Sequence, residues 1–114
     1  MPEFGSPFSG VANERKLTDQ ELIRAIRFTI AAEYEAIQLY MQLAESTDHR
    51  LARTVLRDIA DEERVHAGEF LRLLRELAPD EETFYAQGAK EVEEEIRKTM
   101  ETRSSGPREG KEPA

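Results

Sequence analysis

The sequence predicts an all-α protein, with two long helices in an antiparallel hairpin, a shorter C-terminal helix, and a four-helix bundle made by dimerisation. Three observations predict it. Apolar residues recur at three- and four-residue spacing over two long segments. Each segment is preceded by helix-start chemistry. Two helices alone cannot enclose a core, so a hairpin of this length needs a partner.

The elements follow in order. Residues 1–16 are rich in Gly, Ser and Pro and read as a flexible arm, with "EFGS" resembling a cloning remnant. Thr18 and Glu21 have the spacing of a capping box, and Leu17 is placed as the hydrophobic staple. From Asp19 to Glu45 there is no Gly or Pro. "STDH" then interrupts the pattern, with Thr47 or Asp48 as the next N-cap, and a second helix is predicted over 49–77. Pro79 ends it and can open a third helix, because "PDEE" places acid at a new N-terminus. That third helix, over 80–100, has a thin apolar stripe of Tyr85, Ala89, Val92 and Ile96, with Gly88 midway. A helical domain over 17–101 is therefore followed by a tail, 102–114, that is disordered by composition.

Composition narrows the chemistry. A net charge of -8 argues against nucleic acid and against an anionic membrane surface as partners, and suits a protein that gathers cations. The absence of cysteine excludes disulfides, thiolate zinc sites and iron–sulfur clusters. No basic-then-apolar leader opens the sequence, and no apolar run approaches the ~20 residues that cross a bilayer.

The predicted inward stripe of helix one is Ile26, Ile30, Glu33, Ile37, Tyr40 and Ala44. That of helix two is Ala52, Leu56, Ile59, Glu63, His66, Phe70, Leu73 and Leu77. Each is interrupted near its middle, by Glu33 and by Glu63 with His66. Glu62 falls on a more polar face with Asp58, Val65 and Glu69, which are left to solvent or interfaces. A carboxylate in an apolar seam is costly unless protonated, paired or metal-bound, and a cation relieves both desolvation and like-charge repulsion. Residues i and i+3 share a helix face, so Glu63 and His66 can hold one ion between them. Di-iron carboxylate bundles use two lone Glu and two Glu-x-x-His pairs, each on its own helix. This chain carries half of that set, and a two-fold dimer would complete it.

Competing readings attach to the same residues. An inward Glu can pair with Arg57, Arg64 or Arg72, which would make the chain a non-catalytic helical oligomerisation module. Tyr40 is either an interface aromatic or a hydrogen-bonding neighbour of the ligands. Tyr34 and Glu35 default to a solvated face, and His49 to the surface of the turn.

The stretches "AEYEAIQLY" and "DEERVHAGEFL", within about 17–100, resemble the encapsulated ferritins, ferritin-like proteins housed in encapsulin nanocompartments. Glu-x-x-His alone would also suit rubrerythrins, whose di-metal peroxidase chemistry is the alternative; a full rubrerythrin needs a four-helix domain in one chain. The resemblance implies a ferritin-like fold and a dimer that creates a ferroxidase centre between subunits, assembled into a decameric ring. It implies Glu33, Glu63 and His66 as iron ligands, with Glu63 bridging two irons and Tyr40 nearby. The implied activity is oxidation of Fe(II) by oxygen for iron storage within a cytoplasmic encapsulin shell, with calcium or manganese at secondary sites. Two departures stand out. Ala32 and Leu39 replace an acid and an aromatic found in some members, leaving Glu35 for a reduced outer metal-uptake site. The tail lacks an apolar, glycine-containing targeting peptide, which fits a trimmed chain or the N-terminal part of an encapsulin fusion.

Overall fold

The computed structural model describes residues 11–105, with side chains described to 103. It contains three α-helices: α1, Asp19–Glu45; α2, Arg50–Leu77; and α3, Pro79–Ser105. The chain divides into two compact units, one ending at Pro79 and the other beginning at Asp80.

In the first unit, α1 begins at the predicted capping box. Thr18 Oγ1 accepts the Glu21 N–H at 3.2 Å, and Glu21 Oε1 accepts the Thr18 N–H at 2.9 Å. Arg15 reinforces it with two hydrogen bonds to the Glu21 carboxylate, at 2.9 and 3.1 Å. With the Thr18 amide, that contact lowers the Glu21 pKa to about 2. The turn at 46–49 reverses the chain. Its N-cap is His49, not Thr47 or Asp48: His49 Nδ1 accepts the Ala52 N–H at 3.2 Å. Thr47 Oγ1 is already occupied by the His49 N–H at 3.1 Å, so the helix starts one step later.

The helices pack antiparallel, the start of α1 against the end of α2. Ile23, Ile26 and Ile30 form one core with Leu74 and Ala78, flanked by Phe70 and Leu77. On α1 the predicted stripe of Ile26, Ile30, Glu33, Ile37, Tyr40 and Ala44 is buried or half-buried, and Ile23 extends it by a turn. On α2 the predicted Ala52, Leu56, Ile59, Glu63, Phe70 and Leu77 are half-buried, but His66 and Leu73 are exposed and the buried positions are Ala60, Ala67 and Leu74, one step along. Leu74 is 1% exposed and Ala60 fully buried, whereas Leu73 is 40% exposed. His66 shares the outer row with Ile59 and Leu73. Ala60 and Ala67 stand one turn before and after Glu63, so the helices meet there without a large side chain between them.

The second unit, α3, is as long as the other two helices rather than short, and runs past the predicted end near Met100 to Ser105. Pro79 occupies its first position, where a fixed φ suits the helix and no N–H is missed. Arg97 bonds Glu94 and Glu101 at 3.0 and 3.5 Å, and Thr102 Oγ1 donates to the Lys98 carbonyl at 2.9 Å, carrying the helix past the expected break. Phe84, Tyr85, Val92, Ile96 and Met100 are exposed on it. Residues 1–10 of the predicted arm (1–16) and 106–114 of the predicted tail (102–114) lie outside the described residues, while 102–105 of that tail are helical. No described helix is long and apolar enough to cross a membrane.

Candidate metal centre

Midway along the hairpin, one ligand atom from each of Glu33, Glu63 and His66 lies within 4.8 Å of the others. Glu33 comes from α1, one turn past Ile30. Glu63 and His66 come from α2, three residues apart. Among the described residues, no other group of His, Cys, Asp or Glu meets these terms.

The geometry is specific to one edge of the imidazole. His66 Nδ1 lies 2.9 Å from Glu63 Oε1 and 3.8 Å from Glu33 Oε1. Both carboxylates are mostly withdrawn from solvent, with 17% of each side chain exposed, whereas the His66 side chain is 49% exposed. The expectation that His66 points fully inward therefore fails in the single chain, because it stands on the row outside the seam.

The two carboxylates act on each other's titration, a hydrogen bond between them being the largest cause of both shifts. That bond, with burial, holds Glu33 above the usual carboxylate range. The same bond and a second from His66 hold Glu63 below it, against burial. The Glu63 hydrogen bond is the main cause that raises the His66 pKa, helped by the charges of Glu33, Glu63 and Glu69.

Two carboxylate oxygens and an imidazole nitrogen at this spacing fit a transition-metal ion, and the oxygens suit iron. Of the arginines that could have paired with the acids, Arg64 bonds Asp61 at 3.5 Å and Arg72 bonds Glu76 at 3.1 Å. Tyr40 lies half-buried on the α1 seam two turns from Glu33, and no hydrogen bond joins its hydroxyl to the cluster. Glu35 is half-buried with its Oε1 shielded from solvent, but it is not a member of the cluster. Two residues along a helix is more than half a turn, so it leaves on another face from Glu33. The influence of Glu69 on His66 was missed from sequence, although its spacing three residues after the histidine was there to read.

Comparison with known proteins agrees with this architecture. Residues 25–106 match the family described as Rubrerythrin. The encapsulin nanocompartment cargo protein EncC of Myxococcus xanthus is 41% identical over 97 residues, which cover 85% of this chain and 70% of that protein. A ferritin-like-encapsulin shell fusion protein of Pyrococcus furiosus is 38% identical over 84 residues, 74% of this chain and 24% of the fusion. The chain thus spans about a quarter of that relative. The crystal structure of the encapsulated ferritin domain from Pyrococcus furiosus superposes with a TM-score of 0.73 at 35% identity, covering 81% of this chain and 94% of that one. With that likeness spanning the helices that carry Glu33, Glu63 and His66, the chain belongs to the rubrerythrin family and, within it, to the encapsulated ferritins.

Proposed function

We propose that this chain is half of a ferroxidase: two copies pair about a two-fold axis, and Glu33, Glu63 and His66 from each hold a di-iron centre. There Fe(II) is oxidised to Fe(III) by oxygen, for iron storage and detoxification. The observation that carries this reading is the convergence of the three donor atoms on facing helices within 4.8 Å. A pair of hairpins makes up the four carboxylates and two imidazoles of a complete set. The hairpin also leaves Phe28, Leu39, Leu43, Val55 and Leu73 exposed, the apolar surface that a second copy would cover.

Bound iron supplies the electrons that oxygen takes up, and anionic ligands favour the ferric state. The residues do the rest. The Glu33 proton leaves as a cation arrives, which turns a hydrogen-bonded pair into two ligands. Glu63, flanked by the other two donors, would be the carboxylate shared between two irons. His66 offers Nδ1 once that atom has lost its hydrogen. Tyr40 serves as a neighbouring hydroxyl, and Glu35 as an outer uptake position where calcium or manganese also binds. The pairs assemble further, into a decameric ring. The relatives' names support residence in a cytoplasmic encapsulin compartment, as a cargo or as the N-terminal part of a shell fusion.

Stopped-flow oxidation of Fe(II), with mass measured with and without iron, tests the proposal. Glu63→Ala and His66→Ala should lose most of the rate while keeping their helical content. Rates equal to wild type would refute the assignment. The family description favours one second reading, a rubrerythrin-like peroxidase. Oxygen and peroxide consumed per iron oxidised separate the two.

A further inference from the structure

We propose that α3 of one copy docks on the start of α2 of a second copy, with Glu91 and Glu93 bonding the arginine row Arg50, Arg53 and Arg57. This docking rests on the proposed assembly of pairs into a larger body, names the surfaces that join them, and makes no use of the metal centre.

On the receiving side, arginines at i, i+3 and i+7 line one face of α2. Among the described residues none of the three enters an ion pair, whereas Arg64, Arg72 and Arg97 each bond an acid on their own helix. Their placement also runs against the helix dipole. Arg50 and Arg53 stand in the first turn of α2, which holds no acid, and the positive end of a helix disfavours cations. Both α1 and α3 begin with acids instead. A local choice that costs the helix stability, with no offsetting bond among the described residues, points to a use outside the chain.

Helix α3 offers the complement. Val92, Ile96 and Met100 recur at four-residue spacing and are 58%, 56% and 59% exposed. Glu91 and Glu93 flank Val92 on its two sides. Both are exposed and form no ion pair among the described residues, unlike Glu94 and Glu95, which bond Arg97 and Lys98. Arginine stems can lie along such an apolar stripe while their guanidiniums reach carboxylates at its rims. The lengths agree: Arg50 to Arg57 rises ~10 Å, and Val92 to Met100 ~12 Å.

Charge and register point to a second copy's α2 as the surface that receives α3. Two α3 helices laid face to face would set their acid rims against each other. A chain folded back at Ala78 would bring 91–95 level with 61–65, which holds Asp61, Glu62 and Glu63. It would also leave Arg57 about 9 Å and Arg50 about 20 Å beyond the level of Glu93.

Native mass spectrometry and sedimentation velocity of the full chain test the docking. Wild type should form species larger than a pair. Arg50→Glu with Arg57→Glu should stop at the pair, and so should Glu91→Arg with Glu93→Arg. Each variant alone sets like charges together, but the two mixed restore opposite ones, so the mixture should regain the larger species. Arg50→Glu puts an acid where the helix dipole favours it, which separates lost docking from a lost helix; circular dichroism checks helical content. Either variant assembling alone as wild type does, or a mixture that stays as pairs, overturns the inference and leaves the larger assembly standing. Wild type that never exceeds a pair sinks that assembly and this inference together.

Discussion

Replacing Glu33 by glutamine should stabilise the metal-free protein while disabling it toward iron. In the seam, Glu33 and Glu63 place carboxylate oxygens within 4.8 Å, each with 17% of its side chain exposed. Two full charges at 4.8 Å repel by about 1 kcal/mol in a water-like medium and about 3.5 kcal/mol at an effective dielectric of ~20. The Glu63 hydrogen bond and burial hold Glu33 above the ordinary carboxylate range, so Glu33 keeps its proton to a higher pH than a free glutamate. The stability linked to a raised group is complete below its unfolded value, about 4.3 for Glu, and is lost as pH rises through the folded value. Glutamine keeps an N–H donor toward Glu63 with no proton to take up. The gain from Glu33→Gln should therefore be small at pH 5 and reach about 1–3 kcal/mol by pH 8, or roughly 4–8 °C of Tm for each kcal/mol. Thermal unfolding with chelator, at fixed protein concentration and both pH values, measures it. A variant melting below wild type at pH 8, or gaining equally at both, would refute this account of the Glu33 proton.

Two further outcomes follow from the same geometry. Leu74, 1% exposed, is the large side chain most completely enclosed, and Leu74→Ala should cost about 2–5 kcal/mol in urea unfolding; a loss under about 1 kcal/mol would mean that the seam is placed wrongly. The hydrogen bond to Glu63 raises the His66 pKa, so in metal-free protein the ring stays charged to above its usual ~6.5. Co(II) or Fe(II) affinity should therefore climb as pH rises through that range, with proton release visible by calorimetry in buffers of different ionisation enthalpy. Binding that is independent of pH would remove His66 as a ligand.

The α1 seam was legible in the sequence because its core positions are isoleucines, large enough to dominate the periodic signal around Glu33. On α2 two rows compete. Ile59, His66 and Leu73 look more apolar than Ala60 and Ala67, yet the alanines face α1, since close approach favours small residues and a small residue carries little hydrophobic signal. That one-row slip moved His66 from the seam to its margin. The cap at His49 was hidden for a different reason: a neutral imidazole accepts as well as a hydroxyl does, but cap statistics favour the shorter side chains. The length of α3 depends on local bonds such as Thr102 Oγ1 to the Lys98 carbonyl, at the start of a stretch whose composition reads as tail. Glu33, Glu63 and His66 were identifiable singly as polar breaks in apolar stripes. The opposed titration shifts of Glu33 and Glu63 were not, because they depend on the depth at which two separate helices bring their carboxylates level.

The alanines on either side of Glu63 also act as a gauge. The distance between packed helices follows the bulk of the side chains at their contact, over about 8–10 Å. With methyl groups at Ala60 and Ala67, the backbone of α2 can lie near the short end of that scale, where Glu33 and Glu63 reach each other. In the proposed centre, the span open to an ion is thus set by residues outside its ligand set. A family of such hairpins could be retuned from small to large cations by trading these two methyls for bulkier shims, with every ligand left in place.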